Sequence, residues 1–346
     1  MTHPNPCAKA LASWHEQQLG HAGETSLADA CSGGGRIGVA YSGGADSTAL
    51  LLAAINLWGE RVVALHVNHG LQAAAGAFEQ HARTWCETHH IECRVANLQV
   101  VVAAGDSLEE RARVARYQAL AQLANGAGAS HTHDAAQACA VVLLAQHAQD
   151  QLETMLIALS RGAGLPGLSA MAAQFERHGQ RFARPILGVQ ATAIRQWLVQ
   201  SGHRFVDDPS NADTSYTRNR IRAQVLPALE QALPGVAQAV ARSAEHAAQA
   251  QGLLQELAAL DALETGLPPG IKALQTLQAA SPARCANVLR HWLAHTPGAT
   301  PSAAQLQQLM QQVQSCTTRG HAIDIKVGQG HVRRDGEKLT YSPPII

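Results

Sequence analysis

The run Ser42-Gly43-Gly44-Ala45-Asp46-Ser47 joins a strand-like segment, "IGVAY" (37–41), to a helix-like one that begins near Asp46. Glycine has no side chain to hold a ligand off the backbone, so successive amides there can close on an anion. The helix turns its positive end to the same place, and together these features suit a phosphate. Yet the run lacks the lysine of a P-loop and sets a carboxylate, Asp46, at the mouth. The plainer reading is a tight turn with Asp46 or Ser47 as a helix cap. Further along, Asp150 and Glu153 stand three apart at the start of a helix after the apolar run "CAVVLLAQ" (139–146). That spacing puts both on one helix face, although acids favour this end of any helix. Arg113 and Arg116 have the same spacing around Tyr117, fit either to reach a phosphate or to be solvated.

The elements that must position these residues alternate. Strand-like runs at 37–41, 62–67, 91–98 and 139–146 are separated by helical patterns at 47–57, 76–89, 107–124 and 149–160. Short, nearly all-apolar strands between helices imply a parallel, doubly wound sheet covered on both faces, with ligands at the carboxyl ends of the strands. From about Pro227 the character changes to a long amphipathic helix, a "GLPPG" break at 266–270, helices at 282–295 and 301–314, and two or three short terminal strands. The expected order is a leader helix and glycine-rich connector (1–35), an α/β domain (36–225), and a smaller, mainly helical domain with a β finish (226–346). The segment 125–138 reads as a loop.

Two motif matches mislead. "AYSGG" (40–44) is close to a hydrolase nucleophile elbow with Ser42 as nucleophile, but this leaves Gly44, Asp46 and Ser47 without a task. "GAGLPG" (162–167) fits G-x-G-x-x-G, but it follows a helical segment and contains Pro166, against a dinucleotide site. The histidine-rich "HTHD" (131–134) and "HH" (89–90) lack the spacing of a zinc site.

Composition sets outer limits. Net charge is zero and gives no support for a nucleic-acid partner, although residues 281–346 and "RNRIR" (Arg218, Arg220, Arg222) concentrate cations that could track a phosphate backbone or form a solvated face. Seven cysteines form no C-x-x-C pair, and the odd count argues against a disulfide framework. The N-terminus lacks the basic lead and apolar run of a signal peptide. No segment approaches the ~18 uninterrupted apolar residues of a membrane span. A cytoplasmic protein without a membrane partner is expected.

Read together, the motifs become specific. Ser42–Ser47 resembles the S-G-G-x-D-S pyrophosphate loop of the N-type ATP pyrophosphatases. "LHVNHGLQ" (65–72), "EERARVARYQAL" (109–120), "QHAQDQLETMLIALSRGAGLPGLSAM" (146–171), "RPIL" (184–187), "DDPSN" (207–211) and "RNRIRAQVLPAL" (218–229) come in the order found in the tRNA(Ile)-lysidine synthetase family. The resemblance is close over about 38–230 and looser beyond.

It implies a Rossmann-like PP-loop fold and a two-step reaction. C2 oxygen of cytidine 34, in a tRNA(Ile) with a CAU anticodon, attacks the α-phosphorus of ATP and releases pyrophosphate. Free L-lysine then attacks C2 and expels AMP, leaving lysidine. Ser42, Gly43, Gly44, Ala45, Asp46 and Ser47 would hold the pyrophosphate. Asp46 would repel a triphosphate unless a cation lay between them, and Mg²⁺ is the usual solution. Asp150 and Glu153 would receive the lysine ammonium and help it lose a proton, with Arg113 and Arg116 at the α-phosphate or the tRNA. His66, Asn68 and His69 would face the adenine or the loop, and the "RNRIR" arginines would contact phosphate. Two departures from the family pattern stand out: Gln149 where the first of two aspartates is usual, and Asn68 where aspartate is common. A homodimer is left open. Competing readings are another PP-loop tRNA-modifying enzyme, such as a base thiolase, and a nucleotide-binding module without catalysis.

Overall fold

The structure, a computed structural model, describes residues 3–20, 35–68, 75–98, 108–126, 138–208, 212–318 and 320–343. Packing divides the chain into two compact units, Met1–His246 and Ala247–Ile346. In the first, helix α1 (Pro6–Gly20) precedes β1 (Arg36–Ala40), α2 (Ala45–Trp58), β2 (Val62–Asn68), α3 (Ala75–Thr88), β3 (Glu92–Asn97), α4 (Leu108–Ala124), β4 (Cys139–Leu143) and α5 (Ala148–Ser160). A one-turn helix α6 (Leu165–Leu168), the hairpin β5 (Gln174–Arg177) and β6 (Gln180–Ala183), and α7 (Ala191–Gln200) follow. The sheet order is β3-β2-β1-β4-β6-β5, parallel except for the β5–β6 pair.

This is the expected doubly wound sheet, and its burial explains the near-continuous apolar strands. On one face, Leu11 and Trp14 of α1, Leu50 and Leu51 of α2, Trp85 of α3 and Ile194 and Leu198 of α7 pack over Ile37, Val39 and Leu143. On the other, Tyr117, Leu120 and Leu123 of α4 cover Val63, Leu65 and Val142. The hairpin and α7 are not anticipated from the sequence pattern. The hairpin widens the sheet beyond β4 and supplies two rings of an aromatic cluster, in which Phe175 stacks on Phe182 at 5.2 Å and Tyr117 of α4 meets both edge-on.

Beyond α7 come a short helix α8 (Thr217–Arg220), a π-helical turn (Ile221–Val225), α9 (Leu226–Ala232) and the long α10 (Val236–Thr265). Composition changes near 222–235, but packing divides later, inside α10. The reason is that Val236, Ala237, Val240 and Ala241 of α10 still pack with Ala148 and Leu152 of α5.

In the second unit, α11 (Ile271–Ala280), α12 (Pro282–Ala294) and α13 (Ala303–Ser315) enclose a core with a three-stranded antiparallel sheet of β7 (Asp324–Val327), β8 (Gly330–Asp335) and β9 (Lys338–Ser342). Its cations are partly spent at home. Arg284 pairs with the buried Asp261, Arg333 with Asp324, and Arg334 donates to the carbonyls of Thr318, His321 and Gly336. Among the described residues no helix is long and apolar enough to cross a membrane. Residues 127–137, which hold most of the expected 125–138 loop and its "HTHD" histidines, lie outside the described residues.

Phe182 is 1% exposed at the centre of the aromatic cluster. Phe182→Ala is expected to cost about 3–5 kcal/mol, read as a lowered urea midpoint at unchanged slope.

Candidate active site

β1 and β4 are parallel neighbours, with Val39 opposite Leu143, while the chain runs outward to β3 before returning to β4. The order therefore reverses between them, and their carboxyl ends open a crevice. Tyr41–Ser47 leaves the end of β1, and Leu144–Asp150 leaves the end of β4.

The glycine turn is held by its own hydroxyls. Ser42 N–H donates to Ser47 Oγ (3.2 Å), the two seryl oxygens lie 3.1 Å apart, and Ser47 and Thr48 hydroxyls donate to the Gly44 carbonyl (3.0 and 2.9 Å). Gly43 has φ +84°, and a Cβ there would sit 3.2 Å from His81 of α3, so the turn needs glycine for both reasons. Gly44 caps α2 without a side-chain bond, and Asp46 lies in the helix's first turn. The hydroxyl of Ser42 is engaged with Ser47 and the amide of Gly44, which disfavours the hydrolase elbow, since that needs a histidine base at this oxygen.

Across the crevice stands the acidic set. Nε2 of His147, the residue before α5, lies 3.5 Å from Asp46 Oδ2 and 3.4 Å from Asp150 Oδ2, and His147 backbone N–H donates to the latter (3.0 Å). Burial works against the imidazolium, but the flanking carboxylates outweigh it and raise the His147 pKa. Arg222 reaches the same face of α5. Its Nε and Nη2 grip Glu153 Oε1 and Oε2 at 2.7 and 3.1 Å, and Nη2 lies 3.2 Å from Asp150 Oδ1. The side chains of Asp46, Asp150 and Glu153 are 38%, 16% and 0% exposed. Burial raises the Glu153 pKa, with Arg222 opposing it.

Asp46, Asp150 and Glu153 thus meet through His147 and Arg222, neither of which the sequence singles out for this task. Arg222 was expected at a phosphate and instead clamps the acids. Arg220 bonds the carbonyl of Thr214 (3.1 Å), and Arg218 lies 3.4 Å from Thr154 Oγ1. Arg113 and Arg116 lie on the exposed side of α4. Burial lowers the pKa of Arg184 and nearby Arg113 adds to the shift, while Tyr117 and Asp150 oppose it. Arg184 is itself buried, donating to Gln146, Ala172 and the Tyr117 hydroxyl and lying 4.4 Å over Phe175.

His66 holds the loop from behind. Its Nδ1–H donates to the Tyr41 carbonyl at 2.9 Å, and burial lowers its pKa, keeping it neutral. Asn68 donates to Glu79 (3.3 Å). His69 and Asn211 lie outside the described residues. Gln149 turns away from the acids, and its Oε1 accepts the N–H of Ala191 (2.9 Å), the first residue of α7.

A PP-loop domain model matches residues 16–229, and a TilS substrate binding domain model matches 273–340. A tRNA(Ile)-lysidine synthase of Polaromonas naphthalenivorans (strain CJ2) is 55% identical over 306 residues, covering 88% of this chain and 89% of that protein. The chain belongs to the tRNA(Ile)-lysidine synthase family. The lysidine synthase of Escherichia coli O157:H7 is 39% identical over 87% of this chain, which spans 68% of it. For Burkholderia pseudomallei (strain K96243) the identity is 40%, and this chain spans 58% of that protein. Among solved structures, the U34-tRNA thiolase NcsA from Methanococcus maripaludis shares the fold, with TM-score 0.52 and 13% identity over 69% of this chain and 79% of that one.

For this lysidine synthase family member, Gly43→Ala forces a side chain into a left-handed backbone at about 1–2 kcal/mol. Titration calorimetry with ATP is expected to show roughly tenfold weaker binding. Gln149→Glu keeps the acceptor at the α7 N-terminus and should leave turnover and melting temperature unchanged. Gln149→Met loses that cap and should cost about 1 kcal/mol in urea unfolding.

Proposed function

We propose that this chain ligates free L-lysine to C2 of cytidine 34 in a tRNA(Ile) with a CAU anticodon, consuming ATP and releasing pyrophosphate and AMP. The observation that carries the reading is the facing pair of features at the β1–β4 crevice: an anion-binding turn opposite carboxylates placed to attract a cation. Family membership supplies the reaction to which those features belong.

In the first step, amides of Ser42–Ser47 and the start of α2 stabilise charge on the departing β- and γ-phosphates. The absence of a P-loop lysine suits cleavage between the α- and β-phosphorus, where the held group is the one that leaves. Asp46, exposed at the mouth, suits a Mg²⁺ ion shared with phosphate oxygens, since Mg²⁺ takes one or two carboxylates and completes its shell with phosphate and water. Among the described residues no group of three or more histidine, cysteine, aspartate or glutamate side chains forms a metal cage.

In the second step, the lysine ammonium must shed a proton before its nitrogen can attack. Asp150, on the helix face it shares with the buried Glu153, supplies the negative field that draws it in, and a carboxylate at the mouth accepts that proton. Arg113 and Arg116 are assigned to the α-phosphate or the tRNA backbone. We assign 36–225 to the ATP chemistry, 226–346 to tRNA binding, and the reaction to the cytoplasm.

Incubation with unmodified CAU-anticodon tRNA, ATP, Mg²⁺ and labelled lysine should incorporate lysine into the tRNA and release one pyrophosphate per lysine. Asp46→Asn is expected to lower pyrophosphate release by about 100-fold or more. Asp150→Asn should spare that step and lower lysine transfer by a similar factor. Ser42→Ala should retain partial activity. Pyrophosphate release without lysine incorporation by the wild-type protein would defeat the assignment.

A further inference from the structure

Glu153 is paired with Asp150 by spacing, but the structure gives the two acids different surroundings. Glu153 has no accessible surface, and both its oxygens are held by the fork of Arg222 at 2.7 and 3.1 Å. A planar guanidinium bound through two parallel bonds is not matched by a primary ammonium, which is a point charge. Asp150 keeps accessible surface while both of its oxygens are aimed. Oδ1 faces Arg222 at 3.2 Å, and Oδ2 accepts the backbone N–H of His147 at 3.0 Å.

The backbone is built to deliver Arg222. It lies in a π-helical turn whose closing bond runs from Leu226 N–H to the Ile221 carbonyl. Ile221 and Leu226 pack with Ala148 and Leu152 of α5, seating the turn on the helix that carries both acids. Such turns are rare and gather at functional sites.

Resting on the reaction proposed above, we infer that Glu153 is a positioning residue that never touches lysine. It is the buried counter-ion of Arg222, and Arg222 in turn holds Asp150 in the orientation that receives the amine. The amine's subsite is then formed at Asp150, with Arg222 as its wall.

A double-mutant cycle with Glu153→Gln, Arg222→Gln and the double variant tests this. Two readouts are needed: tRNA-dependent pyrophosphate release without lysine, and kcat/KM for lysine in lysidine formation. Each single variant should lower kcat/KM for lysine by about tenfold or more while leaving pyrophosphate release within about threefold of wild type. The double variant should be no more than about threefold worse than the worse single one, because both substitutions break one device. Penalties that multiply would show that Glu153 acts on lysine itself and would overturn the inference.

Arg222→Gln alone leaves Glu153 buried without a partner, so urea unfolding accompanies every variant. Should it fail to fold, Glu153→Gln against the double variant decides. Equal kcat/KM within about threefold supports the inference, and a larger gap overturns it. Wild-type protein that makes no lysidine defeats the underlying reaction, whereas active wild type with multiplicative penalties defeats only this role for Glu153.

Discussion

Parallel pairing of β1 with β4 is the constraint on which the site depends. Because these strands are neighbours in the sheet and distant in sequence, their two exits face each other across a crevice that neither could make alone. One exit is tightened into a turn by the Ser42, Ser47 and Thr48 hydroxyls. The other is spread into a row of acids by the helical spacing of α5. Burial of the sheet on both faces fixes the separation of the exits, so the distance from the Ser42–Ser47 turn to Asp150 is set by the core.

Three carboxylates gathered beside the glycine turn form an electrostatic liability. Two side chains offset it in different ways. His147 stands between Asp46 and Asp150, where mutual attraction raises its affinity for a proton despite burial. Arg222 cannot lose its charge and neutralises Glu153 from within the protein. The remaining negative potential is concentrated at Asp46 and Asp150, the acids a ligand can reach. Arg184, buried among Tyr117, Phe175 and Gln146, couples this acidic edge to α4 and its arginines.

Features carried by contiguous residues were legible in the sequence. The Ser42–Ser47 turn, the strand–helix alternation and the shared face of Asp150 and Glu153 need only local spacing. The partner of Glu153 stands 69 residues away, and nothing in "RNRIR" distinguishes an arginine that clamps an acid from one that meets a phosphate. Gln149 read as a missing acid because its side chain's direction is invisible in a one-dimensional motif. It serves the N-terminus of α7, where any acceptor will do. The β5–β6 hairpin left a faint signal: His178 and Gly179 both take positive φ, the two-residue turn that suits antiparallel strands. Its strands alternate with polar residues, because β5 is an edge, and so they fall below the apolar pattern of the central strands.

The π-helical turn at Ile221–Val225 carries a consequence for the length of the chain. A π turn is an α-helix with one residue too many, and each residue of an α-helix advances the face by about 100°. Deleting a single residue there would restore regular hydrogen bonding and improve the helix locally. It would also rotate the Arg222 guanidinium off α5 and leave Glu153 as a bare charge in the interior. In this segment the irregular backbone is the register mark that aligns one helix with another, so the protein is more sensitive here to a change of length than to most changes of residue.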